Sequence, residues 1–207
     1  MSTPAQHVPL HRAMVAVDIE GSTTRTNPAR ARLRTVLYEL LDEAFLAGGI
    51  TKKYRDGFVD RGDGALCLVR PVDQAPKPVL LTTVVPSLAE LLVRHGETHP
   101  ELAFRLRVAV HAGEVHYDSR GPYGEDVDIV CRFVDARELR RQLRITAAPL
   151  VLVISPEMHR SVVRHGYPGI DHDAYLRTVT VKVGTQRLRG WVHTPAVAAR
   201  RQEDMTA

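Results

Sequence analysis

Apolar and polar positions divide the chain into short strand-like runs and longer helical stretches. Continuous or alternating apolar runs predict strands over residues 13–18, 58–61, 65–69, 104–112, 150–154, 177–183 and 188–193. Apolar residues spaced three and four apart predict helices over residues 28–46, 79–95 and 126–143, and a short helix begins at Ser155-Pro156-Glu157. The order is strand, helix, hairpin, helix, strand, helix, strand, helix, hairpin. It indicates one α+β domain.

Turn residues support these boundaries. Gly62-Asp63-Gly64 lies between two strand-like runs and is typical of a β-hairpin. The segment before residue 12 and the segment after residue 194 lack periodic apolar residues. We therefore expect a single domain over residues 12–194, with flexible tails over residues 1–11 and 195–207.

Composition excludes several classes of protein. The 207 residues include only two cysteines, Cys67 and Cys131, which is too few for a disulfide framework or a cysteine zinc site. We expect both to be reduced core thiols in a cytoplasmic protein. The net charge is +4, but the basic residues are scattered and no nucleic-acid-binding motif is present. No apolar run approaches the length of a membrane span, so neither nucleic acid nor a membrane is an expected partner.

Two aspartates stand at predicted strand ends. Asp18 follows a buried run and precedes Gly21, Ser22 and Thr23, while Asp63 occupies the hairpin tip. Each alone is equally typical of an ordinary turn. If the sheet brings them together, their repulsion is relieved by Mg²⁺ or Mn²⁺, the ions used in two-metal phosphoryl chemistry. The backbone N–H groups of the following turn are suited to phosphate oxygens.

Four ordered segments resemble one family. They are VAVDIEGST, DRGDGAL, LRVAVHAGEV and YGEDVDIVCRFVDA, and they begin at Val15, Asp60, Leu106 and Tyr123. In this order they resemble the catalytic domain of class III nucleotidyl cyclases (adenylate and guanylate cyclases). The resemblance extends over nearly the whole chain and includes its last hairpin. It implies a ferredoxin-like or palm-type α+β fold, in which helices flank a central, mostly antiparallel sheet.

The resemblance also implies an activity. Class III cyclases convert a nucleoside triphosphate into a 3′,5′-cyclic monophosphate and pyrophosphate at a head-to-tail homodimer interface with two metal ions per site. The matching positions are the metal ligands Asp18, Ile19 and Asp63, the phosphate-binding Gly21, Ser22, Thr23 and Lys182, and the catalytic Arg132 and Asp128. Arginine suits a developing phosphate charge because it stays protonated and binds two oxygens at once.

Three positions depart from the purine-specific pattern. Val59 replaces the base-reading lysine, Gly121 replaces a polar base-reading residue, and Asp128 replaces an asparagine. Asp60, beside Val59, is a second tentative base-pocket residue. The departures resemble the pyrimidine cyclases of bacterial anti-phage defence, which implies a UTP or CTP substrate and a separate effector that responds to the cyclic nucleotide. The alternatives are an adenylate cyclase and an inactive nucleotide-binding or signalling module.

Overall fold

The computed structural model describes residues 8–196. Its eight strands are β1 Leu10–Ile19, β2 Val59–Asp60, β3 Gly64–Val69, β4 Leu106–Asp118, β5 Gly121–Tyr123, β6 Leu150–Ile154, β7 Arg177–Val183 and β8 Gln186–His193. Its helices are α1 Asn27–Ala47, α2 Lys77–Thr98, α3 Glu125–Val134, α4 Arg137–Ile145 and α5 Pro156–Ser161. Single 3₁₀ turns lie at Ser22–Thr24, Pro100–Leu102, Val163–His165 and His172–Ala174.

The strands form one sheet in the order β2-β3-β1-β4-β6-β8-β7, and β5 pairs with the end of β4. Neighbouring strands are antiparallel except β4 and β6. Helices α1, α2 and α5 cover one face, which we call the α1 face, and α3 and α4 cover the other, the α3 face. The predicted α+β class and the mostly antiparallel sheet flanked by helices are confirmed.

Several boundaries differ from the expectation. β1 begins at Leu10, two residues before the expected domain start, because Leu10 and His11 pair with Val115 and Glu114 of β4. The expected tail over residues 195–207 falls mostly outside the described residues. The helix expected over residues 126–143 is two helices, because Ala136 takes an extended conformation. This break gives α4 its own direction and buries its apolar side chains on the sheet.

Two further elements were only partly expected. β5 lies in a segment for which no strand was predicted, and it pairs with β4 and closes a hairpin. The helix expected over residues 79–95 includes a π-helical stretch at Leu80–Val84, and it continues without a break past Pro86. Proline cannot donate the ordinary helical hydrogen bond, and the wider turn just before it accommodates this loss.

Helix α2 is long and apolar enough to cross a membrane by length and composition, and among the described residues it alone meets that criterion. Its apolar residues lie in the core on the α1 face, with Leu80 and Leu88 almost fully buried. Core helices commonly pass such a test.

Helix α3 is fixed on the sheet by Asp126. The Asp126 carboxylate accepts hydrogen bonds from His111 Nε2 at 2.8 Å and from the backbone N–H of Glu114 at 2.6 Å. Gly113 makes this approach possible, since an added Cβ there would lie 2.2 Å from Asp126 Cγ. The bonds hold the N-terminal half of α3 against β4.

The β2–β3 hairpin meets β1 closely at Gly64. An added Cβ at Gly64 would lie 2.1 Å from the backbone oxygen of Val17, and backbone atoms of a central strand cannot move aside. We expect Gly64→Ala to lower the free energy of unfolding by about 3 kcal/mol, as for other overpacking changes. Urea denaturation measures this. The control is Gly57→Ala, because nothing lies within 4 Å of an added Cβ there. Equal stability of the two variants would contradict the close approach.

Candidate active site

Strand register brings the two predicted metal-ligating aspartates to one end of the sheet. Asp18 on β1 pairs with Gly64, the residue after Asp63. The backbone N–H of Ile19 donates to the backbone oxygen of Asp63 at 2.9 Å. The sequence pattern placed each acid at a strand end, and the antiparallel pairing of β1 with β3 makes these ends neighbours.

Each of the two aspartate carboxylates contacts another side chain of the protein. The Ser22 hydroxyl donates to Asp63 Oδ2, so Ser22, a predicted phosphate-binding residue, is buried and bonded to a predicted metal ligand. Asp18 forms an ion pair with the Arg107 guanidinium. Arg107 is itself buried, and burial, followed by repulsion from Arg140, lowers its pKa to about 10. The site thus contains a permanent cation beside Asp18.

The donor set fits a divalent cation. Two aspartates on adjacent backbone segments are the oxygen ligands that Mg²⁺ and Mn²⁺ prefer. Asp18 Oδ2 is buried and contacts the Arg107 guanidinium, so a metal ion at Asp18 would share this carboxylate with Arg107. Asp18 and Asp63, with the carbonyl oxygen of Ile19, are therefore the residues that would hold the metal ions.

A second cluster of possible ligands lies elsewhere. Asp171, His172 and Asp173 bring one ligand atom each to within 4.8 Å of one another, and all three are exposed. They occupy a 3₁₀ turn and include none of the predicted ligands. Exposed acidic groups of this kind are common without a metal.

The turn after β1 contains a glycine in the left-handed region of backbone conformation. Gly21 has φ of +64°, in the left-handed region that favours glycine, and it precedes the 3₁₀ turn Ser22–Thr24. Gly21 and Thr23 are exposed, whereas Ser22 is buried against Asp63. Backbone groups at this turn, beside the carboxylates, remain the predicted contacts for a triphosphate.

The two predicted catalytic residues lie on α3. Asp128 and Arg132 are one helical turn apart and both exposed. Neither side chain forms a hydrogen bond or ion pair within residues 8–196, and the two do not pair with each other. Asp128 also lines an open groove of about 570 Å³ beside β5 and the β7–β8 turn. Both side chains are therefore accessible from solvent.

Lys182 lies apart from the α3 residues. Its neighbours Val181 and Val183 are buried on the α3 face, so the alternation of β7 directs Lys182 to the other face, where it is exposed. Strand β7 is also the sheet edge opposite β2. Within one chain, the structure does not bring Lys182 to Arg132 or to the aspartates.

The two tentative base-pocket residues point to opposite faces. Val59 packs on the α3 face. Asp60 faces α1, where Arg34 binds both its carboxylate oxygens at 2.7 and 2.8 Å and Tyr38 donates at 3.3 Å. These contacts, first that of Arg34, lower the pKa of Asp60 to about 2. The structure therefore separates Asp60 from Val59, because adjacent strand residues alternate in direction.

Two residues near the site were missed from the sequence. Arg107 was treated as part of the alternating strand over residues 104–112, and Arg61 as the last residue of the strand over residues 58–61. Arg107 could have been recognised from the sequence, because it is a charged residue in a strand whose other residues the apolar pattern predicts to be buried. Arg61 stands two residues after Val59 and contacts Cys131 on α3.

Comparison with solved structures identifies the fold. The guanylyl cyclase Cya2 superimposes with a TM-score of 0.63 at 13% identity, over 94% of this chain and 96% of that one. An adenylate/guanylate cyclase/hydrolase from Silicibacter pomeroyi gives 0.62 at 18% identity, over 90% and 98%. The dimeric guanylyl cyclase domain of a rhodopsin fusion protein from Blastocladiella emersonii gives 0.52 at 13% identity, over 89% and 96%.

The chain thus has the fold of adenylyl and guanylyl cyclase catalytic domains along nearly its full described length. No protein-family profile matches the sequence, and no curated protein matches it. The fold agrees with the class III resemblance of the four sequence segments.

Proposed function

We propose that this protein is a nucleotidyl cyclase that acts as a homodimer. It would convert a nucleoside triphosphate into the 3′,5′-cyclic monophosphate and pyrophosphate. The observation that carries the proposal is the division of the predicted site between two surfaces. Asp18 and Asp63 meet at one end of the sheet, whereas Asp128 and Arg132 point outward from α3 with no partner among residues 8–196. In a homodimer, the α3 residues of a second copy would complete the site that Asp18 and Asp63 begin, and the reverse would hold for the second copy's aspartates.

Each group has a role in this reaction. Asp18 and Asp63 would hold two Mg²⁺ or Mn²⁺ ions, which lower the pKa of the 3′-hydroxyl and neutralise the triphosphate. The turn at Gly21 would bind phosphate oxygens through backbone N–H groups. Arg132 from the partner copy would stabilise the charge that develops at the α-phosphate, and Lys182 would bind the departing pyrophosphate.

The substrate would be a pyrimidine nucleotide, UTP or CTP, rather than ATP. Val59 offers no hydrogen bond to a base, and Gly121 offers no side chain. A purine whose polar edge atoms stay unpaired in a closed site loses about 1–3 kcal/mol for each atom. Together with the resemblance to anti-phage cyclases, this supports a second-messenger role in antiviral defence with a separate effector.

A second candidate is a nucleotide-binding or signalling module without cyclase activity. The ion pair between Asp18 and Arg107 favours it, since the cation already balances a carboxylate that a metal would need. Retention of Asp18, Asp63 and Arg132 in one chain favours the enzyme.

Turnover assays decide between these candidates. Purified protein would receive ATP, GTP, CTP or UTP with Mn²⁺ and, separately, Mg²⁺, and products would be identified by mass. We expect a cyclic pyrimidine nucleotide. Cyclic AMP as the main product would retain the cyclase and reject the pyrimidine preference. No cyclic product from a folded dimer would favour the binding module.

The variant Asp128→Asn tests the substitution of aspartate for the asparagine that the class III resemblance leads one to expect on α3. An asparagine amide donates a hydrogen bond to a ribose oxygen, whereas a carboxylate only accepts. We expect this variant to retain wild-type kcat/KM or to exceed it by up to about tenfold, the size of one added hydrogen bond. Steady-state kinetics measure the change. A loss of more than tenfold would mean that the carboxylate itself takes part.

A further inference from the structure

Strand β2 and the residue that follows it present two side chains to the α3 face. Val59 packs there, and Arg61, two residues later, returns to the same face by the alternation of an extended chain. The Arg61 guanidinium contacts Cys131 Sγ in the C-terminal half of α3 and lies 3.5 Å from Oδ2 of Asp135, the residue that directly follows α3. Cys131 directly precedes Arg132. Arg61 is therefore a cation beside the α3 segment that carries the predicted catalytic residues.

The contacts of Arg61 leave most of its hydrogen-bonding capacity unused. Burial raises the pKa of the Cys131 thiol, which therefore stays neutral and is a weak acceptor. Asp135 is 44% exposed and shares its charge with Arg140 at 3.6 Å. A guanidinium has five N–H donors, and within residues 8–196 only these two contacts engage them. The side chain is 29% exposed, so a ligand at this face has access to it.

A donor-only group selects between bases. Uracil and guanine carry a carbonyl oxygen where cytosine and adenine carry an amino group, and an amino donor facing a guanidinium donor gains no hydrogen bond. Arginine is the usual partner of such carbonyl acceptors. The small, apolar Val59 beside it leaves the guanidinium as the polar group that β2 presents on this face.

We infer that Arg61 is a base-reading residue that takes over, two positions later on the same face of β2, the donor role that Val59 lacks. The inference rests on the proposed function and makes it more specific. The preferred substrate is a nucleotide whose base presents a carbonyl oxygen at this edge: UTP among pyrimidines, with GTP as the purine of the same chemistry. CTP and ATP are disfavoured.

Binding of uncleavable analogues tests this without turnover. Calorimetry with Mn²⁺ would give dissociation constants for the α,β-methylene analogues of UTP, GTP, CTP and ATP. In Arg61→Gln we expect the UTP analogue to bind about tenfold more weakly and the CTP analogue to bind as before. Arg140→Gln is the matched control, since it removes the other cation on Asp135 and leaves β2 intact. It should change neither constant.

Three results would overturn the inference. The first is that Arg61→Gln weakens the binding of all four analogues equally, as a structural or purely electrostatic role requires. The second is that Arg61→Gln changes none of the four dissociation constants, and the third is that no analogue binds the wild-type protein. Should Arg61→Gln not fold, Arg61→Lys keeps the charge without the planar fork and should narrow the preference for UTP over CTP. Absence of cyclic product from every nucleotide would reject the cyclase proposal alone, because the ratio of analogue affinities still decides the role of Arg61.

Discussion

Replacing Asp63 with alanine is expected to lower cyclase kcat/KM on the order of 1,000-fold while leaving a folded protein. Asp63 is one of two carboxylates that strand pairing brings together, and no other carboxylate is predicted to bind metal there. Its removal would take away half of the charge that holds the ions and with it the stabilisation of the developing charge on the phosphate. Turnover with Mn²⁺ and the preferred nucleotide measures the loss.

Ser22→Ala is the matched control for this variant. Ser22 donates its hydroxyl to Asp63, so Asp63→Ala also removes that hydrogen bond. The serine variant removes the same bond but keeps the carboxylate, and we expect a loss of no more than about tenfold. If the two variants lost activity equally, orientation of the turn rather than metal binding would explain the effect. Retained activity in Asp63→Ala would reject the two-metal site.

Mixing Asp63→Ala with Arg132→Ala, each inactive alone, is expected to restore activity. In a head-to-tail homodimer one copy contributes Asp63 and the other Arg132 to each site. A mixed dimer therefore has one site with both residues and one with neither. If chains exchange at random, half of the dimers are mixed, and activity should recover to about a quarter of the wild-type value.

The exposed position of Arg132 is the structural reason for this expectation. Its side chain is exposed and has no partner within residues 8–196, so a second copy has access to it. The control mixes Asp18→Ala with Asp63→Ala, which change the same contributing surface, so no dimer of the two contains an intact site. No recovery in the first mixture, with chain exchange confirmed by mass, would mean that each site lies within a single chain.

Local signals were sufficient for much of the fold. The hairpin at Gly62-Asp63-Gly64 was predicted because its turn residues and flanking apolar runs lie within a dozen positions. The start of α5 at Ser155 was predicted for the same reason, and the Ser155 side chain accepts a hydrogen bond from the Met158 N–H, as a helix cap should. Asp18 and Asp63 were placed at strand ends because turn residues follow or flank each of them, whereas their role as metal ligands was implied by the class III resemblance and stays a prediction.

Only the tertiary structure decided what these residues contact. The sequence offered Asp60 and Val59 together as base-pocket residues. In the structure the Asp60 carboxylate binds Arg34, which lies 26 residues earlier, on the α1 face and away from Val59. The partner of Asp18 is Arg107, which lies on a neighbouring strand.

By itself, the sequence determined the order of elements, the α+β class and the acids at the strand ends, because each depends on periodicity and turn chemistry within short segments. The packing of the sheet and its helices decided the face of Asp60, the break at Ala136 and the contact of Arg61 with Cys131 on α3. Those depend on contacts between distant segments, which propensity along the chain does not encode.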